Sequence, residues 1–194
     1  VGGRSFRTFY GEGAWQKVVA ALKPGDFVVI EFGHNDGGAV TNSNGRGDLP
    51  GTGDEIQVIT RRDGTEETVH TYGWYTRKFI RDAREKGATP VVSTTTVRNI
   101  WKDGRVERGM GHMLEWARQV ATEEKSLFLD HSNLTADLYE KLGAESVARF
   151  FPADHTHTST DGAVVNAETF VAGLKGLGVR PLIGFLNDRG RAIK

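Results

Sequence analysis

Two short stretches hold side chains whose types and spacing suit catalysis. The first is Asp154-His155-Thr156-His157. A tight turn lets a carboxylate reach an imidazole three residues later. Asp154 could then hold one ring nitrogen of His157 as N–H and leave the other free as a general base. The same residues also suit a polar loop whose Asp and Thr side chains cap a following helix. The second stretch is Gly33-His34-Asn35-Asp36. Its Asn35 amide could donate N–H groups to the oxyanion of an acyl-transfer intermediate, or Asn35 and Asp36 could shape a turn and nothing more. A third feature is Gly2-Gly3-Arg4-Ser5, where no side chain shields the backbone N–H of Gly3 from an oxyanion. His34, Asp36, Asp154, His155 and His157 are of types that bind zinc or manganese. Their spacing matches no metal motif, so no metal is expected.

These residues need a scaffold. Apolar runs at 27–32, 90–96 and 127–130 are rich in Val, Ile, Phe or Leu and read as buried parallel strands. Helical faces lie between and around them. Ala14, Trp15, Val18, Val19 and Leu22 form one; Trp74, Tyr75, Phe79, Ile80 and Ala83 form the next, with Gly87 as its stop. Met113, Trp116, Ala117, Val120 and Ala121 form a third, and Leu134, Leu138, Tyr139 and Leu142 a shorter one. Ala163, Val164, Ala167, Phe170, Val171 and Leu174 form the last, with Ser159 as N-cap and Gly176 as stop. The alternation predicts an α/β fold with a parallel sheet covered on both faces. Asn35 then falls beyond the carboxyl end of a strand, where such sheets bind ligands. Residues 37–71 break the alternation with a Gly- and Asn-rich loop and a hairpin signal, 55–60 and 65–70 around Asp63-Gly64. We read them as an insertion within a single domain of residues 1–194.

Composition narrows the function classes. The 25 basic and 25 acidic side chains balance, so nothing marks a nucleic-acid partner. No apolar run is long enough to span a bilayer, and residues 1–4 have no signal-peptide character. The absence of cysteine excludes disulfides, thiolate metal sites and a cysteine nucleophile.

Taken in order, the motifs resemble the SGNH, or GDSL, hydrolase superfamily, and within it the rhamnogalacturonan acetylesterases. They are Gly2-Gly3-Arg4-Ser5 with Arg7-Thr8-Phe9 and Glu12-Gly13, Lys23-Pro24-Gly25-Asp26, Glu31-Phe32-Gly33-His34-Asn35-Asp36, Tyr72-Gly73-Trp74-Tyr75, and Phe151 through Ser159. The resemblance implies a flavodoxin-like three-layer α/β/α fold. It implies that Gly3 and Asn35 form an oxyanion hole, that His157 is the general base, and that Asp154 orients it. It further implies a secreted or periplasmic enzyme that removes acetyl groups from a pectic polysaccharide through an acyl-enzyme, with no cofactor and no membrane partner.

One departure matters. Family members begin with a strand ending in Gly-Asp-Ser, whose serine is the nucleophile. Here the Gly-Asp pairs continue as Gly25-Asp26-Phe27, Gly47-Asp48-Leu49 and Gly53-Asp54-Glu55. The remaining motifs place Val1 just after the family's second strand. The expectation is therefore that the N-terminal strands are absent, that the nucleophile lies upstream of Val1 or on a second chain, and that these 194 residues alone are inactive. Ser5 is not at the family's nucleophile position, Ser159 reads as a cap and Ser93 lies in a strand. A Gly-Asp-Ser about 40 residues upstream would favour an esterase. Without one, a non-catalytic carbohydrate-binding module on the same fold becomes the better reading. An esterase of other small esters is a third, which the hydrophilic stretch 37–71 disfavours. The tail 179–194 carries no motif.

Overall fold

The computed structural model describes residues 2–42, 44–108 and 111–193. Val1, the reference point for the expected upstream nucleophile, lies outside the described residues. In chain order the elements are α1 (Phe6–Gly11), α2 (Ala14–Ala21), β1 (Phe27–Glu31), β2 (Ile56–Thr60), β3 (Glu66–His70), α3 (Tyr72–Glu85), β4 (Thr89–Ser93), β5 (Trp101–Lys102) and β6 (Arg105–Val106). They continue with α4 (Met113–Glu123), β7 (Leu127–Leu129), α5 (His131–Leu142), α6 (Ala144–Ala148), α7 (Thr160–Gly176), α8 (Arg180–Gly184) and α9 (Asp188–Ala192). The chain divides into two compact units, Val1–Ser93 with His112–Phe128, and Thr94–Gly111 with Leu129–Lys194.

The first unit is built on a parallel sheet of order β1-β4-β7, in which Phe27 to Glu31 pair with Thr89 to Ser93. All three strands are those expected from the apolar runs. Among the described residues β1 is an edge strand. α3 forms because Tyr72, Tyr75, Thr76, Phe79, Ile80 and Ala83 recur on one buried face. The Thr71 hydroxyl starts it by accepting the Trp74 N–H at 3.0 Å. Gly87, at φ +74°, ends it, its N–H bonded to the Arg84 carbonyl at 2.8 Å. Phe79 is the hub of the core: fully buried, it stacks on Trp15 at 3.9 Å and meets Phe6 edge-on at 5.0 Å. Burying a ring of this size stabilises the unit by roughly 1.5–3 kcal/mol.

Residues 37–71 hold the expected hairpin, β2 antiparallel to β3. The preceding loop closes on itself, with the Asp48 N–H bonded to the Asp36 carbonyl at 2.9 Å. Loop and hairpin are pinned to α1 by one buried side chain. The Arg7 guanidinium donates to the Val40 and Gly47 carbonyls at 2.8 and 2.9 Å and grips both Glu67 carboxylate oxygens at 2.9 and 2.6 Å. Burial alone would raise the Glu67 pKa, but the Arg7 and Arg61 hydrogen bonds more than offset it and hold that carboxyl at about 2.

The Tyr72-Gly73-Trp74-Tyr75 motif has a packing reason. A Cβ on Gly73 would sit 2.5 Å from the Thr52 Cα, which is backbone and cannot rotate away. Gly73→Ala is therefore expected to destabilise the protein by about 1–3 kcal/mol. Thermal unfolding should show a midpoint lower by about 2–12 °C; an unchanged midpoint would mean that the chain at Thr52 yields without cost.

In the second unit the helices expected around 134–142 and 163–174 are present as α5 and α7, and Tyr139 and Leu174 are buried as the stripes imply, but the rest of each buried face lies beside the stripe. Leu134 and Leu142 are exposed, as are Ala163 and Ala167. The buried positions are His131, Ser132, Thr135, Ala136 and Tyr139 on α5, and Gly162, Asn166, Thr169 and Leu174 on α7. Their polar groups satisfy one another. His131 Nε2 bonds the Asn166 carbonyl at 3.0 Å and the Thr169 hydroxyl at 3.1 Å, and the Tyr139 hydroxyl donates to Asn166 Oδ1 at 2.6 Å. Such a network can replace apolar contact because no partner is left unmet. Ser159 is the N-cap of α7, as expected. Its stop is displaced: Gly176 is the last helical residue, and Gly178 takes the left-handed conformation at φ +68°.

Candidate active site

In the second unit, Asp154 and His157 meet as their spacing allows. Asp154 Oδ2 lies 2.7 Å from His157 Nδ1. Its other oxygen, Oδ1, accepts the backbone N–H groups of Thr156 at 2.6 Å and His157 at 2.7 Å. The carboxylate thus organises the turn that delivers its own partner. The bond to His157 and these two N–H bonds hold the Asp154 carboxyl well below the usual carboxylate range, so it stays ionised. A carboxylate can only accept, so in the neutral ring Nδ1 carries the proton and Nε2 keeps its lone pair. Nε2 has no partner among the described residues, and the His157 side chain is 81% exposed. The turn is anchored at both ends, where the Asn99 N–H donates to the His155 carbonyl at 2.8 Å and the Ser159 N–H to the Phe150 carbonyl at 2.7 Å. Asn99 is itself held by the Trp101 indole N–H at 2.7 Å. The His155 side chain has no polar partner among the described residues.

In the first unit, Gly3 and Asn35 are neighbours through Arg46. Arg46 Nη1 donates to Asn35 Oδ1 at 3.1 Å, which turns the Asn35 NH₂ the other way, towards the Arg4 carbonyl at 3.4 Å. Arg46 also closes over Gly3, where a Cβ would fall 3.3 Å from its Nη2. Gly3 has φ +70°, which favours glycine, and is solvent-exposed. Immediately beneath, the Asp36 carboxylate accepts the Phe6 N–H at 2.7 Å and Asp48 Oδ1 accepts the Arg7 N–H at 3.3 Å. Both carboxyls are buried, at 1% and 4% exposure, and each leaves its Oδ2 without a hydrogen-bond partner among the described residues, so a single proton held between the two would satisfy both. Burial raises the Asp36 pKa to about 6, against the lowering effect of its hydrogen bonds; burial and the Asp36 charge raise that of Asp48. The pair and the Ser5 capping box together fix the start of α1 next to Gly3.

Arg46, Asp48 and Arg7 were not anticipated as parts of this arrangement. The available signals were the Arg7-Thr8-Phe9 motif, which carried no role for Arg7, and an Arg and an Asp in an otherwise glycine-rich loop, Gly45-Arg46-Gly47-Asp48. Ser5 is fully buried, its hydroxyl used as the α1 cap, and the Ser93 hydroxyl donates to Glu31 at 2.9 Å. Among the described residues no three His, Asp or Glu side chains are grouped to hold a metal ion, and no helix is long and apolar enough to cross a membrane.

Comparison with known proteins places this geometry. No family model matches the chain. It is similar to the crystal structure of the Bacillus subtilis protein YXIM, with TM-score 0.69 and 22% identity over 92% of this chain and 44% of that one. It is also similar to the acetylxylan esterase Axe2 of Geobacillus stearothermophilus, with TM-score 0.57 and 19% identity over 89% of this chain and 68% of that one. The chain therefore has the α/β fold of these proteins. In sequence the chain is 41% identical over 171 residues to a rhamnogalacturonan acetylesterase of Emericella nidulans, covering 88% of this chain and 69% of the relative. It is 30% identical over 203 aligned positions to the rhamnogalacturonan acetylesterase RhgT of Bacillus subtilis, covering 97% and 77%. The chain belongs to the rhamnogalacturonan acetylesterase family of SGNH hydrolases, which are carbohydrate acetylesterases.

Proposed function

We propose that this chain supplies the base and the oxyanion donors of a rhamnogalacturonan O-acetylesterase. The observation that carries the reading is the Asp154–His157 pair, 2.7 Å apart with Nε2 unbonded, in a member of this family. The catalytic mutants made of the acetylxylan esterase include an aspartate and a histidine with the same three-residue spacing, which supports the assignment. Chemically, His157 Nε2 takes the proton from a serine hydroxyl as that oxygen attacks the acetyl carbonyl. The Asn35 amide and the Gly3 N–H stabilise the negative charge that forms on the carbonyl oxygen. His157 then returns the proton to the departing sugar hydroxyl, and a water repeats the cycle to release acetate. No step needs a metal. From the family resemblance we assign the enzyme to the secreted or periplasmic space.

The serine itself we do not place within the 194 residues. They contain no Gly-Asp-Ser, and the Ser5, Ser93 and Ser159 hydroxyls are committed to caps and a carboxylate. A serine-directed phosphonate should leave the intact mass of the 194-residue chain unchanged; a stoichiometric adduct would overturn this. The substrate reading is tested by acetate release in an active form of the protein. Acetylated rhamnogalacturonan should be turned over with kcat/KM at least about tenfold above acetylated xylan, a difference of ~1.4 kcal/mol in transition-state binding. Equal or reversed preference would remove the pectic assignment and leave the esterase chemistry intact.

A further inference from the structure

A cavity of about 770 Å³ lies in the first unit between α1, residues 40–42 and 44–45, and the β2–β3 hairpin. It is within the range of small-ligand sites. It also adjoins the Gly3–Asn35 corner: Asn44 lines it and accepts the Arg46 N–H at 3.0 Å, and Arg46 is the residue that holds Asn35.

The charges around the cavity are unequally engaged. Each of its carboxylates is committed to a partner. Glu67 is gripped by Arg7 and Arg61, Glu12 by Arg4 at 2.8 Å, and Asp63 accepts both the N–H and the hydroxyl of Thr65. Arg7 and Arg61 are spent on Glu67. Arg62 is different. It lines the cavity at the hairpin turn, and its guanidinium has no hydrogen bond or ion pair among the described residues. The remaining polar edges, Thr41, Asn42, Gln57 and Thr60, are neutral groups of the kind that bond sugar hydroxyls. A planar fork of N–H donors left unpaired at the rim of a neutral polar cavity suits a carboxylate carried on a sugar.

We propose that this cavity is a subsite for a uronate residue of the polysaccharide main chain, with Arg62 binding its carboxylate. The proposal rests on the substrate class assigned above, since a galacturonan presents one carboxylate per uronate. The subsite seats the polymer beside the Gly3–Asn35 corner without taking part in the reaction.

The test is binding of a defined galacturonate tetramer to the intact chain by calorimetry at low salt, against the same tetramer with its carboxyls methyl-esterified. The acid form should bind roughly 5–20-fold more tightly, a preference that added salt erodes. Arg62→Ala should abolish that preference without changing the melting temperature, because Arg62 supports nothing else. Arg62→Lys should keep part of it, having the charge without the fork. Equal binding of the two tetramers, or a preference that survives in Arg62→Ala, would overturn the subsite. The reaction is scored separately. Arg62-dependent binding in a protein whose active form releases no acetate from acetylated rhamnogalacturonan would uphold the subsite and sink the proposed function.

Discussion

In any acetate-releasing form of this protein, His157→Ala is expected to lower kcat by roughly 10⁴–10⁶-fold, because the serine hydroxyl then has no base. His155→Ala should change it by less than about tenfold. His155 contributes only its carbonyl to the turn, which alanine also offers. Asp154→Asn separates orientation from charge. The Asn Oδ1 can still accept the Thr156 and His157 N–H groups, so the turn survives. Its NH₂, however, would face His157 Nδ1 and force the proton onto Nε2, the nitrogen needed as base. A wrong-tautomer change of this kind costs about 10⁴ in kcat in a serine protease; we expect roughly 10²–10⁴ here, since a pair this exposed reorients more freely. Because Asp154 stays ionised well below the usual carboxylate range, it should contribute no acid limb to the rate profile of the unsubstituted enzyme. Steady-state kinetics of the three variants decides the matter. Comparable losses for His155→Ala and His157→Ala would remove the assignment of His157 as base.

What could be read in advance follows the range of each interaction. The Asp154–His157 bond spans three residues and needs only a turn, so residue types and spacing suffice. The strands β1, β4 and β7 are short and apolar because they are buried, and that leaves a mark in composition. α5 and α7 were located through their periodicity, but of their expected stripes only Tyr139 and Leu174 are buried. The residues that face inward, His131, Thr135, Tyr139, Asn166 and Thr169, are polar or amphipathic, and only their mutual bonds make burial tolerable. Nothing local announces that pairing. The Arg7–Glu67 bridge spans 60 residues, and Arg46 reaches Asn35 across a loop of 11. Contacts of that length are set by how the loop returns, not by any nearby pattern. α1 is only six residues long, and α8 and α9 are five each, too short for periodicity to single out.

The buried Asp36–Asp48 pair should make stability depend on pH in an unusual direction. In the unfolded chain Asp36 titrates near 3.8; in the fold, burial raises it to about 6. Between these values the folded protein holds a proton that the unfolded chain has lost. The contribution of Asp36 to stability should therefore fall as pH rises through this window. Below 3.8 the contribution of Asp36 is fully present, and above about 6 its loss is complete. Asp48, raised by burial and by its neighbour's charge, adds a loss of the same sign at pH values above its unfolded pKa. Asp36→Asn keeps an acceptor for the Phe6 N–H and gains an NH₂ that can donate to Asp48. It should lie within about 1 kcal/mol of the original at neutral pH and flatten this part of the profile. Asp36→Ala leaves the Phe6 N–H buried without an acceptor and Asp48 without its partner. The expected cost is roughly 3–4 kcal/mol, or about 6–16 °C in Tm. The start of α1 would loosen with it, and with α1 the position of Gly3. Thermal unfolding from pH 4 to 9 for the three proteins distinguishes these outcomes. If the change in stability between pH 4 and pH 7 is the same in the unsubstituted protein and in Asp36→Asn, or if Asn and Ala at position 36 destabilise it alike, the carboxyl pair does not hold a shared proton in the fold.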